Sequence, residues 1–158
     1  MNVTSINSNQ PSRKVINVKS HSPEALKKLD ELSHNLWWCW NTEALDLFSS
    51  LDTELWHKVR RNPIDLLRSI DYDRLIELSK NEEIIRKMNK VYADFRKYMD
   101  VKPDSSRPSV AYFCMEHGLS HVLKIYSTGL GILPGDYPKQ ASASNANNVA
   151  DSIPHRLR

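Results

Sequence analysis

Apolar residues recur at intervals of three and four positions through most of the stretch from Ser22 to Met99. This spacing gathers them on one side of α-helices and predicts a mainly α fold. Capping residues, two of them followed by proline, divide the stretch into several short helices. These signals occur at Ser22-Pro23, Asn41-Thr42, Asp52-Thr53, Asn62-Pro63 and Asn81.

The first and last of these predicted helices have the most regular patterns. Their apolar positions are Leu26, Leu29, Leu32, Leu36 and Trp40 in the first, and Ile84, Met88, Val91, Phe95 and Tyr98 in the last. Lysine and arginine fill other positions of the last helix and are expected to face solvent. With 40% apolar residues in the chain, we expect residues 22–99 to form an N-terminal helical domain with one modest core.

The rest of the chain differs in composition from this helical domain. Residues 1–21 are polar and predict a flexible arm or a short edge strand, whereas residues 100–108 contain two prolines and predict a linker. Residues 109–142 predict the start of an α/β domain. Residues 143–158 form a tail whose pattern departs from what precedes it.

A candidate site lies at the start of the predicted α/β domain. Val110 to Met115 is a continuous run of β-forming residues, as expected for a strand buried on both faces of a parallel sheet. Glu116 and His117 follow at its carboxyl end, the edge where open α/β sheets bind ligands. A lone carboxylate such as Glu116 can act as an acid, a hydrogen-bond acceptor or a cap. The turn Gly129-Leu130-Gly131 is either structural or a set of backbone amides for an anion.

Two further groups of residues admit both a functional and a structural interpretation. Cys114, His117 and His121 have spacings that zinc sites use, but no second ligand pair follows, so no metal site is predicted. The tryptophans could stack on sugar rings, but their apolar neighbours favour packing in a core. They are Trp37, Trp38, Trp40 and Trp56.

Charge and cysteine content bear on partners and compartment. A net charge of +3 does not indicate a nucleic-acid or membrane partner. No apolar run approaches the roughly 20 residues that cross a bilayer. The first ten residues lack the features of a signal peptide, and Cys39 and Cys114 are widely separated. These features predict a cytoplasmic protein with reduced thiols.

Short motifs follow one another in order through residues 111–142. They are Ala111-Tyr112-Phe113-Cys114-Met115-Glu116, Gly118-Leu119, Ile125-Tyr126-Ser127, Gly129-Leu130-Gly131, Gly135-Asp136, Lys139 and Ala141-Ser142. This order resembles the opening of the catalytic region of α-glucan phosphorylases. The upstream motifs are similar to the N-terminal helical domain of bacterial and archaeal members of that family. Those motifs are Leu32 to Asn41, Glu43-Ala44, Leu47-Phe48, Leu55-Trp56 and Asn62-Pro63.

The resemblance implies a glycosyltransferase fold of two Rossmann-like domains, with pyridoxal 5′-phosphate bound to a lysine of the second domain. The implied reaction is phosphorolysis of terminal α-1,4-glucosidic bonds, in which an α-glucan and inorganic phosphate yield glucose 1-phosphate. By the same resemblance, the candidate residues for binding substrate or phosphate are Glu116, Thr128, Gly129, Leu130 and Gly131. Backbone amides at such a turn suit the positioning and stabilisation of phosphate groups.

Three departures from the family pattern bear on activity. Thr128 replaces a glycine of the family turn Ser-Gly-Gly-Leu-Gly and adds a side chain where backbone and phosphate come close. Pro138 is expected to break the following helix at a cost of about 3 kcal/mol. Neither a second apolar strand nor the cofactor lysine follows.

We therefore predict a truncated α-glucan phosphorylase: a helical N-terminal domain followed by the start of a Rossmann-like domain, inactive alone. An alternative is a non-catalytic helical interaction or regulatory module that associates with phosphorylase subunits. A third hypothesis is a glucan-binding module that uses exposed tryptophans, and it requires accessible indole rings.

Overall fold

The computed structural model describes residues 22–102, 104 and 106–152. The predicted arm, residues 1–21, and the end of the predicted tail, residues 153–158, lie outside this range. Helices dominate the described part, which confirms the mainly α fold. The elements are α1 (Lys27–His34), α2 (Thr42–Leu51), α3 (Thr53–Lys58), α4 (Pro63–Ser69), α5 (Tyr72–Lys80), α6 (Glu82–Met99), β1 (Val110–Phe113), α7 (Ile132–Ala143) and β2 (Asn148–Asp151). None of the described helices is long and apolar enough to span a bilayer.

Side-chain caps start four of the helices where the sequence predicts them. Asn41 caps α2 by accepting a 2.9 Å hydrogen bond from the backbone N–H three residues later, and Asp52 caps α3 in the same way at 2.8 Å. Asn62 and Asn81 accept hydrogen bonds from first-turn N–H groups of α4 and α6. Each cap pairs a backbone donor that the helix leaves without an internal partner.

The predicted start of the first helix is wrong. Ser22 does not cap it, because the first helical residues of the described part form a 3-10 turn, Glu24–Leu26, preceded by Pro23. The Ser22 hydroxyl instead donates to the carboxylate of Asp30 at 3.5 Å. The proline therefore occupies the capping position itself rather than the first helical position.

The predicted extent of the first helix is also wrong. The helix ends at His34, because Asn35 adopts an extended backbone with φ −108° and ψ 129°. The Asn35 side chain then accepts a hydrogen bond that begins a second 3-10 turn, Leu36–Cys39. This local side-chain bond competes with continuation of the helix and turns the chain before Trp40.

The helices enclose one hydrophobic core, in which α6 packs against α1, α2 and α5. Phe48, which is fully buried, stacks on Trp56 with ring centroids 6.0 Å apart. Trp37, Trp38 and Trp56 are buried, and Trp40 packs half-buried against the same cluster. The prediction that the tryptophans belong to the core is confirmed. The glucan-binding hypothesis is wrong because it requires exposed indole rings.

The basic residues of α6 do not form a purely solvated face. Three of them reach across to carboxylates on α1 and α2, which corrects the sequence-based expectation. The pairs are Lys87–Asp46 (2.9 Å), Lys90–Glu43 (2.7 Å) and Arg96–Glu31 (3.2 Å). Exposed ion pairs contribute little stability, so these contacts mainly favour one arrangement of α6 on its neighbours.

Beyond the helical region, the chain forms a β-α-β unit. Strands β1 and β2 pair in parallel, with Val110 opposite Asn148 and Phe113 opposite Asp151, and α7 is the crossover between them. Two expectations are therefore wrong: a second strand does form within the predicted tail, and β1 is not buried on both faces. The side chain of Phe113 is 74% exposed. The pairing arises because the parallel register uses backbone groups and does not need an apolar second strand.

Pro138 does not break α7, which runs through it from Ile132 to Ala143. Packing holds the part of α7 that precedes the proline in place. Tyr137 lies against Tyr112 of β1 with ring centroids 4.8 Å apart, and Gly135 lies against the backbone of Gly118. These contacts offset the hydrogen bond that a proline cannot donate.

A C-terminal cap directs α7 into β2. Asn145 has φ 53°, the left-handed conformation that glycine and asparagine adopt most readily. Its N–H donates to the carbonyl of Ser142 at 3.1 Å, and the N–H of Ala146 donates to the carbonyl of Ala141 at 2.9 Å. This pair of bonds is a Schellman motif, and it ends α7 at Ala143, which leaves four residues before β2 begins at Asn148.

The predicted division into domains stays a prediction. No helix or strand occurs in the described part of residues 100–108, where the linker is expected. Contacts do cross this stretch: the Asn145 side chain donates to the carbonyl of Lys102 at 2.7 Å, and the hydroxyls of Tyr98 and Ser142 are hydrogen bonded.

Candidate functional site

The candidate site centres on Glu116, three residues after the end of β1. Its carboxylate accepts hydrogen bonds from the hydroxyls of Ser127 at 2.9 Å and Thr128 at 2.8 Å. The backbone N–H of Thr128 also donates to it, at 3.2 Å. The structure thus joins two of the predicted site residues, Glu116 and Thr128, and adds Ser127, which was not among the residues predicted to bind substrate or phosphate.

These hydrogen bonds favour the ionised form of Glu116. The Thr128 hydroxyl, followed by the Ser127 hydroxyl, lowers the pKa of the Glu116 carboxyl below its ordinary value of 4.5. Both donors favour the ionised form because they bond to the carboxylate oxygens. Glu116 is therefore a bound carboxylate at neutral pH, which favours the role of hydrogen-bond acceptor over that of general acid.

Thr128 organises the turn that follows. Its hydroxyl oxygen accepts a 3.3 Å hydrogen bond from the N–H of Leu130 and so caps the 3-10 turn Gly129–Gly131. This turn leads directly into α7, which begins at Ile132. The side chain of Leu130 is 82% exposed, so its contribution to the turn is through the backbone.

Three glycines let the chain segments of the site approach one another. A Cβ added at Gly131 would lie 2.8 Å from Cβ of Tyr126, and one at Gly118 would lie 2.9 Å from the carbonyl oxygen of Gly131. A Cβ at Gly135 would lie 2.4 Å from backbone atoms of Gly118. At Gly129, by contrast, no atom lies within 4 Å of the added Cβ. Gly129 is the open position of the turn, and the other three are needed for close packing.

His117 is buried beside this turn, with 2% of its surface exposed. Its ring lies 5.8 Å from the ring of Tyr112, and Nδ1 is 3.3 Å from the carbonyl oxygen of Glu116. Within the described part of the chain, Nε2 has no hydrogen-bond partner. The histidine is placed by β1 and supports the segment that carries Glu116.

The zinc-type spacing does not produce a cluster. His121 Nε2 lies 2.5 Å from the carbonyl oxygen of Arg60, in the loop between α3 and α4, and so is used in a contact with the helical region. Cys114 is a free thiol. Among residues 22–102, 104 and 106–152, no group of three or more potential ligands could hold a metal ion.

The described residues do not fit pyridoxal 5′-phosphate. The donors nearest Glu116 are already bound to its carboxylate. Lys139, the lysine of α7, is paired with Asp136 at 3.2 Å. Because these donors and this lysine are already engaged, none of them is assigned to hold the cofactor, and no step of a reaction is assigned to it here.

The predictive signals differed among these residues. Glu116 follows a strand-like run, and the turn 127–131 belongs to a recognisable motif. Gly118 and Gly135 also lie within matching motifs, although the sequence does not reveal that they touch. The contact between His121 and Arg60 has no local signal, since it joins residues far apart in the chain.

Comparison with known proteins identifies the family to which the sequence of this chain is similar. A family described as a protein of unknown function, DUF3417, matches residues 22–123. Maltodextrin phosphorylase of Thermococcus litoralis is 42% identical over 134 residues, which cover 79% of this chain and 16% of that protein. Glycogen phosphorylase of Mycobacterium tuberculosis is 34% identical over 151 residues, which cover 88% of this chain and 18% of that protein. Glycogen phosphorylase of Aquifex aeolicus is 40% identical over 116 residues, which cover 71% of this chain and 16% of that protein.

The extent of these matches limits what they say about the whole enzymes. The chain spans less than a fifth of the length of these curated relatives. No solved structure shows significant similarity to it. The family match nevertheless includes the helical region and β1. The chain therefore belongs to the DUF3417 family and corresponds to the amino-terminal segment of α-glucan phosphorylases.

Proposed function

We propose that this chain supplies the helical N-terminal domain and the first β-α-β unit of an α-glucan phosphorylase. The reaction is phosphorolysis of terminal α-1,4-glucosidic bonds, which releases glucose 1-phosphate. The observation that carries the proposal is the arrangement around Glu116. A carboxylate three residues after β1 holds the turn 127–131, and α7 starts directly from that turn.

The chemistry of this turn suits a positioning role. Glu116 fixes Ser127 and Thr128, while Gly129 stays open to solvent and to a ligand. In the complete enzyme, we infer that the turn presents backbone amides to the sugar phosphate and that Glu116 keeps those amides in place. Residues fixed before the reaction stabilise developing charge without reorganisation.

The chain alone is proposed to be inactive. It corresponds to 16–18% of the length of two of the relatives, and its described residues do not fit the pyridoxal phosphate expected in full-length members. Closure of a second domain over cofactor and sugar has no counterpart in a single β-α-β unit. The free thiols of Cys39 and Cys114 fit the proposed cytoplasmic location.

A direct assay tests this proposal. The purified chain, supplied with glucan, phosphate and pyridoxal 5′-phosphate, is expected to release no more glucose 1-phosphate than a heat-treated control. Thr128→Gly is not expected to create activity. Reproducible turnover by the chain alone would refute the proposed inactivity.

A chimera tests the proposal that this chain supplies the N-terminal part of an active phosphorylase. Residues 22–152 replace the matching segment of the Thermococcus litoralis enzyme, and the chimera is expected to be active. Glu116→Gln in the chimera is expected to lower kcat by at least about tenfold, because it removes the charge that holds two donors of the turn. Glu54→Gln, at an exposed position of α3, is the matched control. A chimera that folds but has no activity would contradict the assignment.

The second candidate function is a non-catalytic module that associates with phosphorylase subunits. One observation favours it: the buried core cluster lies entirely between Leu26 and Phe95, so the helical region satisfies its own packing. Co-purification of this chain with an intact phosphorylase, accompanied by a change in the activity of that enzyme, would support this function. An unchanged activity and no complex would exclude it.

A further inference from the structure

A loop joins the two halves of the candidate site. Glu116 lies immediately before residues 117–126 and Ser127 immediately after them, and a 2.9 Å hydrogen bond between their side chains closes the loop at its base. Residues 117–126 are all described and contain neither helix nor strand. A compact loop whose ends meet in this way is an Ω-loop, a class that frequently carries function. We call residues 117–126 the docking loop.

The base of the docking loop holds both ends of the turn 127–131. At the start of the turn, Glu116 accepts hydrogen bonds from the hydroxyl and the N–H of Thr128. At its end, the carbonyl oxygen of Gly131 accepts a 2.8 Å hydrogen bond from the N–H of Gly118, the second residue of the loop. A shift of the docking loop is therefore transmitted to both ends of the turn.

The middle of the docking loop contacts the helical region at three points. The carbonyl oxygen of Leu119 accepts a 3.5 Å hydrogen bond from the thiol of Cys39. Nε2 of His121 donates to the carbonyl oxygen of Arg60 at 2.5 Å, and it carries a proton because a carbonyl oxygen can only accept. Val122 is half-buried and packs against the core cluster of the helices. Two hydrogen bonds and one apolar contact thus define where the loop sits.

The backbone that accepts from His121 is strained. Arg60 and Arg61, in the connection between α3 and α4, have φ values of 55° and 56°, a left-handed conformation that is uncommon for residues other than glycine and asparagine. Such conformations persist where the surrounding structure holds them, and they cluster at functional sites. The strained pair supplies the carbonyl acceptor for His121.

We propose that the helical region is a platform that positions the turn 127–131 through the docking loop, and that His121 is a positioning residue for Glu116. Docking restricts the loop, the base of the loop keeps Glu116 beside the turn, and the turn keeps its backbone amides in place. Donors that are fixed in advance stabilise developing charge without reorganisation. The consequence for turnover rests on the proposed function, whereas the coupling between docking and the turn is a property of this chain.

Amide hydrogen exchange of the full chain, measured by NMR, tests the coupling. The probes are the N–H groups of Thr128 and Gly118, which form hydrogen bonds at the base of the loop. His121→Ala removes the donor to Arg60 and should speed exchange at both probes about threefold to tenfold, the effect of losing one hydrogen bond. His121→Gln keeps a side-chain N–H donor and should restore the parent rates to within about twofold.

A second variant disrupts the apolar contact of the loop. Val122→Asp places a carboxylate against the core cluster and should speed exchange at the same probes at least about tenfold. Lys124→Ala, at an exposed position of the docking loop, is the matched control and should change these rates by less than about twofold.

A third amide separates this coupling from a general loss of stability. The N–H of Val91, a buried residue of α6, reports on the helical core and should exchange at the parent rate in both His121 variants. Equal acceleration at Val91 and Thr128 would overturn the proposal. Unchanged exchange at Thr128 and Gly118 in His121→Ala would remove the role of His121, and the same result in Val122→Asp would overturn the coupling itself.

The chimera tests what the coupling does for turnover. In it, His121→Ala should lower kcat at least about threefold with KM changed less than about twofold, and His121→Gln should restore kcat. Faster exchange at Thr128 without any change in kcat would overturn the positioning role. Faster exchange together with an inactive chimera would support the coupling and contradict the proposed function. An active chimera with unchanged exchange would overturn this inference alone.

Discussion

At the level of single residues, glycine in this chain serves close packing rather than unusual backbone angles. Among the described residues, none of the glycines has a positive φ, whereas Arg60, Arg61 and Asn145 do. Gly118 and Gly135 are required because backbone atoms meet where a Cβ would stand. The sequence motif indicated that small residues matter here, but it did not distinguish Gly135 from the open Gly129.

This difference predicts opposite results for two alanine substitutions. Gly135→Ala should destabilise the β-α-β unit by about 1–3 kcal/mol, because overpacking exceeds the gain of up to about 1 kcal/mol in helix propensity. Gly129→Ala should change stability by less than about 0.5 kcal/mol. Urea unfolding monitored by tyrosine near-ultraviolet circular dichroism measures both. Equal effects would show that the close approach to Gly118 is absent in solution.

The hydrogen bonds of Glu116 predict a pH dependence. A lowered folded-state pKa means that the carboxylate stabilises the fold above 4.5 and that this contribution is lost as pH falls through the folded-state value. The melting temperature should therefore decrease between about pH 5 and pH 3, and Glu116→Gln should reduce the size of that decrease. Glu54→Gln is the control at an exposed position. An identical pH profile for the Glu116 variant and the parent would contradict the hydrogen-bonded carboxylate.

At the level of elements, the sequence predicted the helix caps, which depend on nearby residues, but not the strand pairing, which depends on residues far apart. The caps at Asn41, Asp52, Asn62 and Asn81 involve bonds over two or three residues, so the sequence specifies them directly. The pairing of β1 with β2 depends on backbone register and on α7, and β2 has no apolar pattern to reveal it. The residues of the candidate site could be predicted from sequence motifs, but the hydrogen bonds between Glu116 and the turn 127–131 became visible only in the structure.

The continuation of α7 through Pro138 predicts that this proline is destabilising. Pro138→Ala restores an N–H donor, which should contribute about 3 kcal/mol, and it loosens the unfolded chain, which should cost about 1 kcal/mol. A net gain of about 2 kcal/mol in the free energy of unfolding is therefore expected. Denaturant unfolding of the protein, followed in the β-α-β unit that contains α7, measures this gain. Pro63→Ala is the control: Pro63 occupies the first position of α4, where a proline is tolerated, so its replacement should bring no such gain. A loss of stability on replacing Pro138 would show that its ring is needed for packing.

At the level of the whole molecule, the helical region and the β-α-β unit meet through few polar contacts. Leu119 accepts a 3.5 Å hydrogen bond from the thiol of Cys39, and His121 contacts the carbonyl of Arg60. Burial raises the pKa of the Cys39 thiol, which keeps it protonated and able to donate. The helical region does not depend on these contacts for its core.

A polypeptide of residues 22–102 is therefore expected to fold alone. It should show helical circular dichroism and a cooperative melt, because the buried cluster from Leu26 to Phe95 is complete within it. Phe48→Ala in this polypeptide should cost about 3–5 kcal/mol, since the ring is fully buried against Trp56. A broad, non-cooperative melt of the parent polypeptide would show that the β-α-β unit is required.

The parallel pairing of β1 and β2 has a consequence for synthesis on the ribosome. Each helix is held by hydrogen bonds between residues close in sequence and can form as it emerges, but β1 must wait until the whole crossover and β2 have been made. At translation rates of about 5–20 residues per second, the delay is roughly two to eight seconds. During that time Phe113 and its strand are available to other nascent chains, so the yield of folded protein should depend on translation rate and on chaperones that hold extended segments.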